Sequence, residues 1–439
     1  MTADAEAQRA GLEALLALGM PADVPARRGG LDALVALGMP VPAETAAPPA
    51  MRPPVNTPLP AISSLPGRVP AQGGARAPDA PGQQVRVTVL IPAHNEAASI
   101  GDTLVSLRRQ AYPPDDVVVV CDNCTDNTVQ IALSCGAQVI TTVGNTDRKA
   151  GALNQALRLV LPQIRSSDVV LLMDADSQLS TGWIAAALAA LQADGKLGGV
   201  CGTYLGVNEK GIVRQLQRNE FVRASRLVPR RAGLWVLSGT GTMFRARVLR
   251  EVARERGNRL PGIPGEHYNS RSITEDYEIT LALKTLGWRC IAPPGCTAST
   301  EIMPTWRHLF RQRLRWQSGT LTALRKYGVT RVTWTNWARQ VFFYLRYLAQ
   351  LACWVIIGYS LATTPRLSMP AWVITMLSLI YAERLITVRR AGIKGIVLAA
   401  LLLPEWFYGM FDGLYLMRAL ITEVRGGAVS WGHITAGDA

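Results

Sequence analysis

Three apolar runs decide what this chain can fold into, because each stops at polar chemistry. VRVTVLI (85–91) leads into PAHNE, DVVVVC (116–121) into Asp122, and DVVLLM (168–173) into Asp174. AQVITT (137–142) reads as a further strand. Between the runs the spacing turns helical: from about Ala97, from Asn127, over Lys149–Val160 and through TGWIAAALAALQA (181–193). Strands apolar on both faces that alternate with helices predict an α/β domain, its mostly parallel sheet covered on each side. In open sheets of this kind ligands bind beyond the carboxyl ends of the strands. The residues closing the runs are therefore the first candidates for a site: Ala93, Asn95 and Glu96, then Asp122, then Asp174 and Asp176.

Their chemistry is specific. Asp174 and Asp176 stand one residue apart on chain leaving a strand and can reach one hard cation. Mg²⁺ or Mn²⁺ held by one or two carboxylates keeps coordination places for phosphate oxygens. Spacing alone does not decide this, since acidic pairs also occur in ordinary turns. Lys149 opens a helix in DRKAGALN (147–154), and a lysine beside helix amino-terminal amides suits a diphosphate. Asp126 and Asn127 read as helix caps; Asp122 fits either a cap or a site. Glu275 and Asp276 open the helix of SITEDYEITLALKTLG (272–287), where acids suit the helix dipole and where a carboxylate could serve as general base. In RQRLRWQSG (311–319), Arg311 and Arg315, and Gln312 and Trp316, pair at helical i,i+4 spacing. A basic amphipathic helix on lipid headgroups has the same pattern.

The flanks differ in kind. Twelve of the 27 prolines lie between Pro40 and Pro81, so residues 1–84 read as disordered or extended. GLEALLALGMP (11–21) returns as GLDALVALGMP (30–40), either a duplicated low-complexity stretch or a paired peptide that docks on a partner protein or the membrane. The first apolar stretch, Leu12–Leu18, is too short for a secretory signal. Beyond residue 340, Tyr347–Ala362 and Leu367–Ala382 carry no charge, and Gly395–Met417 carries only Glu405 and Asp412. A membrane-spanning helix needs about 20 residues. Residues 321–425 therefore predict two spanning helices, with the third segment as a further candidate, and leave 426–439 as a tail. Arg311, Arg313, Arg315, Arg325, Lys326, Arg331 and Arg339 precede the first segment, RRAGIK (389–394) follows the second, and only Arg366 lies between them. That asymmetry places the large domain on the cytoplasmic side. The net charge of +14 suits nucleic acid, anionic membranes or phosphorylated substrates. Nucleic acid is disfavoured because many Trp and Tyr residues fall in the apolar last third instead of among the basic residues. The seven cysteines, with one C-x-x-C at Cys121 and Cys124, read as free thiols of a reducing compartment.

IPAHNE, VVCDNCTD, KAGALN, DAD, SGTGTMFRA, TED and QRLRW occur in that order across residues 85 to about 320. The ordered set resembles the membrane-bound family 2 glycosyltransferases, whose catalytic domain has the Rossmann-like GT-A fold. It is similar to the processive synthases of poly-N-acetylglucosamine, hyaluronan, chitin and cellulose. The resemblance implies that Ala93, Glu96, Asp122 and Lys149 hold a uridine diphosphate sugar and that Asp174 and Asp176 hold the metal, Asp176 as the more direct ligand. It further implies Asp276 as catalytic base and Gly239, Thr240 and Gly241 as lining of the acceptor site. Gln312 and Trp316 would contact the acceptor sugar, and Arg315 the leaving diphosphate. Cys121 departs from the pattern, since relatives often carry a further aspartate there. Two rival readings remain open: transfer of one sugar to a polyprenyl phosphate or other fixed acceptor, and a non-catalytic membrane scaffold that kept the fold.

Overall fold

The apolar runs are strands of one mixed sheet. A computed structural model describes residues 84–206, 211–227, 234–363, 371–401 and 403–427. The amino-terminal repeat, the proline-rich stretch, Arg366 and the tail from residue 428 lie outside the described residues. The first half alternates as read: β1 (Val87–Ala93), α1 (Ile100–Arg108), β2 (Asp116–Cys121), α2 (Thr128–Ser134), β3 (Gln138–Thr141), α3 (Arg148–Val160) and β4 (Val169–Leu172). There follow β5 (Gln178–Leu179), α4 (Trp183–Ala193), β6 (Leu197–Cys201), β7 (Thr203–Gly206), α5 (Ile212–Leu227), β8 (Thr242–Arg245) and α6 (Ala246–Glu255). The domain closes with α7 (Glu275–Thr285), β9 (Arg289–Ile291), β10 (Thr297–Thr300) and α8 (Trp306–Tyr327). The sheet order is β3-β2-β1-β4-β8-β6-β9, and β5, β10 and β7 form a small second sheet. β8 runs antiparallel to both β4 and β6, while the other pairs of the large sheet are parallel.

Alternation along each strand explains why the runs are apolar throughout. Leu90, Val118, Val120, Val170 and Leu172 enter one buried layer with α3. Val89, Ile91, Val119 and Leu171 enter the other, with Ile100 and Leu104 of α1 and with Trp183 and Ile184 of α4. Successive side chains of a strand point to opposite faces, so a sheet covered on both sides needs apolar residues at every position. A buried ion pair fixes α7 in this frame. The Arg256 guanidinium binds the Glu278 carboxylate, which also accepts from Tyr327 Oη at 2.7 Å at the end of α8.

Past the domain the structure differs from the sequence reading. α9 (Trp334–Thr363) contains the first expected segment, and its residues Trp334–Ser360 form a helix long and apolar enough to cross a membrane. The second segment begins outside the described residues, and the described part of it, α10 (Ala371–Thr387), has 17 residues against the about 20 of a typical crossing. The third expected segment is two helices, α11 (Gly392–Ala400) and α12 (Leu403–Val424), and the chain bends by 91° between them. Pro404 supplies the reason. In a continuous helix its ring would clash with the carbonyl of Ala400, whereas in the first turn of α12 no partner is needed for its nitrogen.

Candidate active site

Because β2, β1 and β4 are neighbours in the sheet, their carboxyl ends deliver Ala93, Asp122 and Asp174 to one edge. The Asp122 amide donates to the Ala93 carbonyl at 2.8 Å. The buried Asp122 carboxylate accepts from Thr142 Oγ1 and Asn145 Nδ2, both at 2.8 Å, and from Asn123 Nδ2 at 3.1 Å. All three bonds fall on Oδ1, which fixes the carboxylate by one oxygen. Cys121 is fully buried in the apolar layer, so the unusual residue there faces the core. Asp126 does act as a cap, accepting from the Thr128 amide at 3.0 Å, whereas Asn127 makes no side-chain cap.

Lys149 is the hub. Its Nζ lies 2.7 Å from Asp174 Oδ1, 2.8 Å from Glu275 Oε1 and 3.9 Å from Asp276 Oδ1. Burial works against the charge of this lysine, but the three carboxylates raise its pKa well above the ordinary value. The residue before it, Arg148, has φ 57°, a left-handed conformation that residues other than glycine seldom adopt. Asn145 closes that turn by donating to the Arg148 carbonyl at 2.8 Å. Gly239 sits against the cluster, and its carbonyl accepts from the Asp174 amide at 2.9 Å. A Cβ there would stand 2.6 Å from Asp276 Oδ2, 2.8 Å from Asp174 Oδ2 and 3.0 Å from Lys149 Nζ. Glycine is thus the residue that leaves space among these groups.

Three carboxyl groups of the site are tuned upward. Burial, and then Glu275 and Asp174, push Asp276 to about 7 against the opposing pull of Lys149 and Arg315. Burial, with the charges of Asp174 and Glu96, pushes Asp176 to about 7 as well. Glu96 is itself raised, mainly by burial, although Ser99 Oγ donates to it at 2.7 Å. Glu275 is lowered: burial opposes its charge, but Lys149 outweighs that.

α8 brings QRLRW to the same side. The Arg315 guanidinium donates to the Ile273 carbonyl at 3.4 Å, in the turn leading to α7. Gln312 Oε1 is shielded from solvent without a hydrogen-bond partner among the described residues, a group that awaits a donor. Trp316 is half-buried. The Thr240 and Ser238 hydroxyls bond each other at 2.8 Å, and a side chain at Gly241 would meet Leu179 and Trp183 of the apolar layer. Sequence reasoning passed over Asn145, Glu275 as partner of Lys149, and Glu301, whose charge bears on Asp176. Only the Asn-containing turn before α3 carried any signal of the first.

A model of the family described as glycosyltransferase-like family 2 matches residues 83–319, more than half of the chain. The chain belongs to this family. This family 2 chain is 27% identical over 254 residues to "Probable glycosyltransferase YdaM" of Bacillus subtilis, covering 55% of this chain and 57% of that one. It is 24% identical over 240 residues to poly-beta-1,6-N-acetyl-D-glucosamine synthase of Staphylococcus aureus, covering 53% and 54%. The match thus spans little more than half the length of these relatives. A mannosyltransferase of Pyrobaculum calidifontis, solved with GDP-Man and Mn²⁺, superposes with a TM-score of 0.52 at 20% identity, covering 82% of this family 2 chain and 92% of that structure. That likeness concerns the fold.

Proposed function

We propose that the chain is an inverting, metal-dependent glycosyltransferase that moves a sugar from a nucleotide donor, UDP-linked by the motif resemblance, to a glycan acceptor at the cytoplasmic membrane. The observation carrying this reading is the convergence of Lys149, Asp174 and Asp276 around Gly239, with α8 bringing Arg315 alongside. The donor set suits a divalent cation. Asp176 is crowded by Asp174 and Glu96, a concentration of negative charge that a cation relieves. A cation held by the pair Asp174 and Asp176 would keep coordination places for phosphate oxygens. When bound, the cation would carry part of the charge on the departing diphosphate. Lys149 and Arg315 add fixed positive charge there. Asp276 accepts the proton of the attacking acceptor hydroxyl, and its pKa of about 7 suits proton transfer near neutral pH. A single displacement inverts the anomeric centre, so an α-linked donor yields a β-linked product.

Attachment to the membrane rests on α9, where Val341, Phe342, Leu345, Leu348, Val355, Ile356 and Tyr359 are exposed, and on the arginines of α8 that precede it. The test is to incubate the full chain in membranes with a panel of nucleotide sugars and divalent metals, and to weigh the products. Metal-dependent nucleotide release with a lengthening glycan is the expected result. A product of one added sugar would favour a fixed acceptor, and no release from any donor would favour a scaffold.

A further inference from the structure

Two hydrogen bonds and a cation–π contact link α12, through α5, to the tryptophan of QRLRW. Arg313, in the middle of that motif, is buried. Its guanidinium donates to Glu220 Oε2 on α5 at 2.8 Å, and the same oxygen accepts from Tyr408 Oη on α12 at 2.6 Å. The guanidinium carbon lies 4.6 Å from the centroid of the Trp316 ring and 5.7 Å from that of Phe221. Phe221 is wedged edge-on against Tyr204 at 5.0 Å. α5 is joined to the membrane-side helices a second time. Glu405 of α12 accepts from Asn219 and Arg223 of α5 and from Arg384 of α10, all at 3.0–3.1 Å.

Residues three apart on a helix are neighbours in any case, so proximity alone would mean little. Here Glu220 and Tyr408 fix the guanidinium where it covers the indole. A cation held over one ring face restricts the tilt of that ring and leaves the opposite face for another flat or apolar surface. A sugar ring offers such a surface through its C–H groups.

We propose that Arg313 is a positioning residue for the acceptor. It covers one face of Trp316 and presents the other to the sugar, and its own placement depends on Tyr408 of α12. This rests on the glycosyltransferase reading above. Acceptor fit is then coupled to the seating of a membrane-side helix, while donor binding, built on the strand ends and α3, is not.

Two readouts separate the possibilities in the full chain, with Arg313→Met, Arg313→Lys and Tyr408→Phe as variants. Hydroxyl-radical footprinting by peptide mass spectrometry needs no substrate. Trp316 should oxidise severalfold faster in Arg313→Met and measurably faster in Tyr408→Phe, with Trp288, which lies under Arg247, as internal reference. Kinetics with UDP-N-acetylglucosamine or GDP-mannose and a matching oligosaccharide should show the acceptor KM raised about tenfold in Arg313→Met, with kcat and donor affinity within about twofold. Arg313→Lys should fall between the two, since an ammonium keeps the charge without the flat stacking surface. An unchanged Trp316 footprint in both Arg313→Met and Tyr408→Phe overturns the positioning role and leaves the enzymatic reading intact. So does donor affinity falling in parallel with acceptor affinity in Tyr408→Phe. A wild type that releases nucleotide from no donor of the nucleotide-sugar panel overturns the enzymatic reading, and the acceptor role with it.

Discussion

Gly319 of α8 lies directly against Thr274, the residue that opens α7, so closely that a methyl group on the glycine would collide with the threonine side chain. This contact limits how closely the helix of QRLRW and the helix of the candidate base approach at this point. Gly319→Ala should push the helices apart. A misplacement of about 1 Å is enough to cost on the order of 10²-fold in rate, so turnover should fall far more than thermal stability does. Adding Thr274→Ala should restore much of the rate. Steady-state kinetics beside a melting curve checks this, and a single variant with wild-type kcat would show that the spacing is slack.

Asp276 should be required for transfer but not for donor binding. General-base contributions run to about 10²–10⁴-fold, so Asp276→Asn should lose transfer on that scale while calorimetry still detects the nucleotide sugar. Transfer within about threefold of wild type, well below that range, would remove Asp276 from the role.

Asp176→Asn should weaken Mn²⁺-dependent donor binding without unfolding the protein. Calorimetric titration with and without metal reads the effect, with circular dichroism as the folding control. Donor affinity that still rises with Mn²⁺ as in the wild type would exclude Asp176 as a ligand.

His267 gives the domain an acid limit. Burial, reinforced by Arg158, Arg256 and Arg250, lowers its imidazole from 6.5 to about 4. The folded state keeps the ring neutral in that interval, whereas the unfolded chain protonates it. The unfolded state thus binds more protons, and stability falls as pH drops from about 6.5 towards 4 and is unaffected above. The full effect is on the order of 3 kcal/mol. Urea unfolding at pH 7 and pH 4.5 should show His267→Gln losing less stability on acidification than wild type. An equal loss in both would discount the histidine.

The strands and the edge they build were legible in the sequence, because a two-sided sheet writes itself as unbroken apolar runs and the residues ending those runs must lie at one edge. Asp122, Lys149, Asp174, Asp176 and Asp276 become candidates this way, or by motif order, and the fold gathers Lys149, Asp174 and Asp276 within a few ångströms. The bend beyond residue 390 is not legible in composition, which is continuous over Gly395–Met417 while the chain turns by 91° at Pro404.

What the sequence determined by itself is local: period, caps, strand ends and the identity of each candidate group. What the tertiary structure alone decided is which distant groups meet. Lys149 reaches Glu275 across 126 positions of chain, and Tyr408 reaches Glu220 across 188. The raised carboxyl of Asp276 likewise depends on Asp174 and Glu275 being packed around it. Coulomb forces and hydrogen bonds act over a few ångströms of space whatever the separation along the chain, so no periodicity records them.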